Sequence, residues 1–137
     1  MFLAQEFVSD KEGLRTVQIV FQVPKKSIIV KLENGSKPIR SIDLKAVESV
    51  QMCVSDNRAQ DYLQIKMNME YDLILKFDSY YDRERFASKL ELFLEEIGVG
   101  RERLETDLKQ LKKTAYTKER RQKDLEQFFR VVFSHVI

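Results

Sequence analysis

From Val17 to Phe77 apolar and polar residues alternate with period two, and at residue 79 the period changes to that of a helix. A run of short, half-buried strands followed by one amphipathic helix restricts the chain to an antiparallel, β-rich fold, because only hairpins join strands so closely. Val17, Ile19, Phe21 and Val23 line one face of a strand that stops at Pro24. After the short Pro24-Lys25-Lys26 connection, Ser27 to Leu32 is β-branched and strand-like. Asn34-Gly35 predicts a type I′ hairpin turn, since both residues tolerate positive φ, with Pro38 to Leu44 returning as the partner strand. Val47 to Val54 puts Val50, Met52 and Val54 on one face, and Tyr62 to Met67 and Tyr71 to Phe77 complete six strands. Turns are expected at Ser55-Asp56-Asn57-Arg58 and around Asn68-Met69-Glu70. Phe2 to Val8 alternates poorly and is a candidate seventh strand.

Ser79 and Asp82 stand where an N-cap and a first-turn acid belong, and Phe86, Leu90, Phe93, Leu94 and Ile97 follow at helical spacing. Gly98 and Gly100 end that helix. Arg101 to Thr114 reads as a second helix with a narrow stripe of Leu104, Leu108 and Leu111. A third, capped by Thr117, carries Leu125, Phe128, Phe129, Val132, Phe133 and Val136 on a broad apolar face. The expected architecture is a β-rich α+β domain. It is a pleckstrin-homology-like (PH-like) bent antiparallel sheet of six to seven strands, capped by one helix and followed by two more. Residues 1–98 form the domain, with 1–16 an extra strand or tail, and 99–137 form a helical extension.

Composition narrows the function. With one His, one Cys and no Trp among 137 residues, a Cys/His zinc site, a His-rich metal site and a serine triad have too few residues to build from. The longest charge-free run, Thr16 to Pro24, falls short of the roughly 18 to 20 apolar residues a membrane-spanning helix needs. The N-terminus shows no signal-peptide pattern, and a lone Cys53 suits a reducing compartment. Charge is divided: residues 1–100 carry net −2 and residues 101–123 net +5.

Four sets of residues stand out: Ser41-Ile42-Asp43-Leu44, Ser55-Asp56-Asn57-Arg58, Tyr71-Asp72-Leu73-Ile74-Leu75-Lys76-Phe77, and Thr117-Lys118-Glu119-Arg120-Arg121 with Phe128-Phe129-Arg130. Together they resemble the dual oxidases, in the stretch between a membrane anchor and the calcium-binding EF-hands. Their order and spacing run from about Val17 to Ile137, and residues 1–16 match no named stretch. The resemblance implies a parent NADPH oxidase with a peroxidase-like ectodomain. That parent would make hydrogen peroxide with FAD, haem and NADPH under calcium control. The chain itself would then be a non-catalytic PH-like scaffold on the cytosolic face of a membrane, the plasma membrane by preference. Its implied partners are the EF-hand module and other domains of the same polypeptide, with homodimerisation of the parent left open. No G-x-G-x-x-G loop, haem-binding histidine pair or EF-hand calcium loop occurs in the chain, so those cofactors are expected elsewhere in the parent. The apolar, uncapped stretch Phe128 to Ile137 predicts a polypeptide that continues toward an EF-hand-like unit.

Three surfaces invite a binding role. Lys25 and Lys26, in what reads as the first strand-to-strand loop, with Arg40 on a facing strand, suggest phosphoinositide binding; solvated turn residues on a scaffold are the simpler account. The basic, Phe-rich stretch Lys112 to Phe133 suits a membrane surface or a calmodulin-like partner, but Glu119, Asp124 and Glu126 interrupt it. The preferred reading has Leu125, Phe128, Phe129, Val132, Phe133 and Val136 packing on the PH-like body or the EF-hands. His135 reads as helix surface and Cys53 as strand packing, and Asp56, Asp61, Asp78 and Asp82 read as turn and cap residues rather than a catalytic cluster. A nucleic-acid platform would need aromatics interleaved with the basic run, which has only Tyr116.

Overall fold

A computed structural model describes residues 1–53, 61–68, 70–100 and 103–113. Eight strands make one open sheet: β1 (Phe2–Ser9), β2 (Gly13–Gln22), β3 (Ser27–Leu32), β4 (Pro38–Asp43), β5 (Val47–Cys53), β6 (Tyr62–Met67), β7 (Leu73–Lys76) and β8 (Arg103–Thr106). Their spatial order is β4-β3-β2-β1-β7-β6-β5-β8. Every neighbouring pair is antiparallel except β5 with β8, which is parallel. A single 3-10 turn, Leu44–Ala46, joins β4 to β5, and helix α1 (Tyr80–Glu96) follows β7.

The inward residues of both sheet halves meet α1 in one core. Val17, Ile19, Val30 and Ile42 from one half and Val50, Leu63, Ile65 and Leu75 from the other pack with Phe86, Leu90 and Leu94. Since the outermost members of this set, Ile42 on β4 and Val50 on β5, share one cluster, the sheet folds over the helix. The plug is aromatic: Phe86 stands 5.3 Å from Phe2 and 5.2 Å from Phe77, and Phe21 stacks on Phe93 at 4.9 Å. Ser79 caps α1 by accepting the Asp82 N–H, as its position predicts. At the other end Gly98 takes φ +77°, its N–H bonds the Glu95 carbonyl and the Val99 N–H bonds the Leu94 carbonyl, a Schellman ending.

Three expectations need correction, whereas the candidate strand at Phe2 to Val8 is present as β1, at the centre of the sheet. Its alternation is disguised because the inward Glu6 is charged, buried against Arg15 at 2.6 Å, while the outward Phe7 is apolar. Consequently Lys25 and Lys26 lie in the second strand connection, and the first consists of Asp10, Lys11 and Glu12. The Asn34-Gly35 turn is not type I′, because neither residue has positive φ; the turn closes through Gly35 N–H on the Leu32 carbonyl at 2.9 Å. Residues 33–37 form a loop long enough to reverse without the primed geometry that two-residue loops require. Finally, the expected second helix over Arg101 to Thr114 begins only at residue 108, where Asp107 accepts the Gln110 N–H at 2.9 Å. Arg103–Thr106 is instead β8, drawn onto the sheet by the otherwise unpaired edge of β5.

The short helix at 108–113 lies on the outer face of the sheet. Leu111 is fully buried there against Phe7, Cys53, Tyr62 and Ile74, with Leu108 beside it. Cys53 is thus strand packing, as expected, and fully buried. Desolvation there, with Asp61 and Cys53 nearby, raises the Tyr62 phenol pKa above its ordinary value.

Candidate functional site

The most organised polar constellation joins α1 to the β5 edge. Arg83 falls on the buried stripe of α1 with Phe86, Ala87, Leu90 and Leu94, so its side chain must cross the interior to find partners. Its guanidinium donates to the carbonyls of Cys53 at 2.9 Å and Tyr62 at 3.2 Å, where β5 ends and β6 begins. It also holds Glu84 at 3.1 Å and lies over the Tyr80 ring, 5.1 Å from its centroid. A buried guanidinium is tolerated when hydrogen bonds replace its hydration, and here the protein supplies two backbone acceptors and a carboxylate.

Glu84 in turn reaches Arg103 of β8 at 2.6 Å, and Glu91, two turns along α1, binds the same guanidinium. Burial alone would push the Glu84 carboxyl up, but hydrogen bonds and charge from Arg103 and Arg83 bring it below the ordinary carboxylate value. The hydrogen bond to Glu91, outweighing desolvation, strengthens the hold of Arg103 on its proton. The arrangement is a clamp. One arginine of an edge strand sits between two carboxylates of a helix, and a second arginine behind them ties that helix to the sheet.

The surfaces expected from sequence fall elsewhere. Lys25 and Lys26 are exposed in the β2–β3 turn, with Lys26 at φ 52° and its carbonyl accepting the Leu44 N–H at 3.0 Å. Arg40 is not beside them. In an antiparallel meander alternate turns lie at opposite ends, and Arg40, near the start of β4, belongs with the β3–β4 turn. There its nearly buried side chain binds Glu70 at 2.7 Å and the Tyr71 carbonyl at 2.5 Å, with its guanidinium 4.0 Å from the Tyr71 ring centroid. Asp61 pairs with Lys76 at 3.4 Å and Asp82 lies within 3.9 Å of Arg85. Leu125, Phe128, Phe129, Val132, Phe133, Val136, His135 and Asp56 lie outside the described residues. Among the described residues no three His, Cys, Asp or Glu side chains converge as a metal site, and no helix is long and apolar enough to cross a membrane.

A family model for the dual oxidase PH domain matches residues 1–115, the whole sheet, α1 and the helix at 108–113. The chain belongs to the dual oxidase PH domain family. It is 31% identical over 134 residues to human dual oxidase 1, covering 98% of the chain and 8% of that protein. The rat dual oxidase 2 is 32% identical over 134 residues, and the Drosophila melanogaster dual oxidase is 30% identical over 112. This PH domain therefore spans about 8% of the length of these relatives. Solved structures agree on the fold. The PH domain of human oxysterol binding protein-related protein 11 has a TM-score of 0.58 at 10% identity, covering 73% of this chain and 84% of that one. The PH domain of human TBC1 domain family member 2 gives 0.59 at 15%, covering 70% and 80%.

The clamp was not foreseen from the dual oxidase PH domain sequence, although one signal was present. An arginine at 83 in register with an apolar helix stripe has to be satisfied by the interior. The seven-residue spacing of Glu84 and Glu91 places both acids on one face of the helix. Arg103 carried no signal, because its partners come from another element.

Proposed function

We propose that this chain is a non-catalytic docking domain of a dual oxidase, a regulatory scaffold on the cytosolic side of the membrane that seats the EF-hand module of the same polypeptide. The observation that supports it most is the outer face of the sheet. The helix at 108–113 lays Leu108 and Leu111 against Phe7, Cys53, Tyr62 and Ile74, so the chain leading to residues 117–137 departs from a fixed point on the domain. The Phe-rich positions Leu125, Phe128, Phe129, Val132, Phe133 and Val136 are the proposed contact with that module.

The parent would pass electrons from NADPH through FAD and haem to form hydrogen peroxide, under calcium control. Those groups are expected elsewhere in the parent. The depression beside the β3–β4 turn, lined by Arg15, Thr16, Leu32 and Asn34, is open, and its one cation is already bound to Glu6. A phosphoinositide role has less support. Arg40 is engaged by Glu70 and Tyr71, and the β1–β2 turn holds Asp10 and Glu12 around a single Lys11.

Calorimetric titration of the 137-residue chain with a dual oxidase EF-hand module, with and without calcium, tests the docking. The pair Phe129→Asp and Phe133→Asp should lower the affinity at least tenfold, and an unchanged affinity would refute the assignment. Sedimentation with phosphoinositide liposomes at low salt tests the lipid alternative, which predicts that the protein pellets.

A further inference from the structure

The seat of β8 has the properties of a peptide site. Its floor is the edge of β5, where Val50, Gln51, Met52 and Cys53 pair with Arg103, Leu104, Glu105 and Thr106. Its wall is α1, which presents Glu84 and Glu91 to one guanidinium. The occupant is slight: four residues, in the one parallel pairing among the described strands, with Leu104 45% exposed and Arg103 and Glu105 also exposed. A short parallel strand that buries little apolar surface belongs to the easily opened part of a structure. The features on either side of it are made by other residues: the Gly98 ending before it, and the Asp107 cap and buried Leu111 after it. The strand can therefore leave while both flanks hold.

We propose that this groove is a strand-accepting site for an extended, arginine-bearing segment of a partner protein, and that Arg103–Thr106 is the in-chain occupant with which such a segment exchanges. Strand addition supplies backbone hydrogen bonds that do not depend on sequence. The Glu84–Glu91 pair supplies the selection, favouring one basic, forked side chain at the position of Arg103. The tethered strand competes at high effective concentration, so the site stays covered until it is outcompeted. This inference does not rest on docking through residues 117–137 and survives its failure.

A synthetic peptide of residues 101–107, added to the isotope-labelled 137-residue chain, is the test. The wild-type chain should bind it weakly, and an Arg103→Ala chain at least tenfold more tightly, with amide shifts centred on Val50–Cys53 and Glu84–Glu91. A peptide carrying the same Arg103→Ala change should lose at least tenfold on that chain. A Leu104→Pro chain, which blocks pairing in cis and leaves both carboxylates intact, provides the same reading if Arg103→Ala disturbs the fold. Absence of shifts at millimolar peptide on both variant chains, or equal binding of the two peptides, would overturn the proposal and leave β8 as a fixed edge cover.

Discussion

Replacing Arg83 by Met keeps a long apolar stem in the α1 stripe and removes the guanidinium. Two carbonyls, those of Cys53 and Tyr62, then lose donors at 2.9 and 3.2 Å in a place where Arg83 is only 3% exposed. A hydrogen bond from a charged donor contributes about 1.5–3 kcal/mol, so losing the two costs roughly 3–6 kcal/mol. Against this, Met avoids desolvating a cation, a penalty of several kcal/mol that the native partners offset only in part. The native site is also imperfect, since Arg83 Nε is buried without a partner among the described residues. The net loss expected is about 2–3 kcal/mol, equivalent to roughly 8–12 °C in Tm for a domain of this size. Urea unfolding followed by circular dichroism should show a lower midpoint at unchanged m-value, with Arg83→Lys falling between the two because one ammonium reaches fewer acceptors. A change below about 0.5 kcal/mol, or a stabilised Met variant, would show that desolvation cancels the hydrogen bonds and that the clamp is not anchored through Arg83.

Gly98→Ala should cost about 1 kcal/mol by urea unfolding, entirely through φ +77°, because an added Cβ would meet nothing within 4 Å; an unchanged midpoint would show that the helix ending tolerates rearrangement. The depressed Glu84 carboxyl contributes stability that is complete above the unfolded value of about 4.3 and is lost as pH falls through the lower folded value. Thermal melts of wild type and Glu84→Gln should therefore differ at pH 6 and converge toward pH 3, and a constant difference would refute the assignment. Leu111→Ala should destabilise by about 2 kcal/mol, the low end for a buried leucine because its cluster is small. It should also raise the rate at which a thiol reagent labels Cys53 at least tenfold, whereas an unaltered rate would mean that Leu111 does not shield the thiol.

The period-two pattern located β3 through β7 to within a residue or two, and β2 except for its first four residues, Gly13 to Thr16, because each of those strands keeps an apolar inward face. It marked β1 only as a candidate, because an ion pair replaces an inward apolar residue there and Phe7 is buried on the opposite side. It failed at β8, since Leu104, Leu108 and Leu111 share helical spacing although Leu104 is on a strand. Four residues are too few to express a period, and the pairing that forms β8 is decided by the edge of β5 and by carboxylates some twelve to twenty residues away. Ser79, Asp82 and Gly98 were legible because caps are local chemistry. Arg40 was misassigned for the opposite reason: a basic residue looks free in sequence until its carboxylate and carbonyl partners are brought to it.

The contact between Leu111 and Phe7 also brings the last described helix back to the first strand. Phe2 begins β1, and Leu111, in the last described helix, packs on Phe7 of the same strand. The distance from Phe2 to Phe7 along that strand is roughly 17 Å at 3.4 Å per residue. The first strand and the last described helix are thus tied together, so loosening Leu111 also loosens the outer face of the strand at the centre of the sheet.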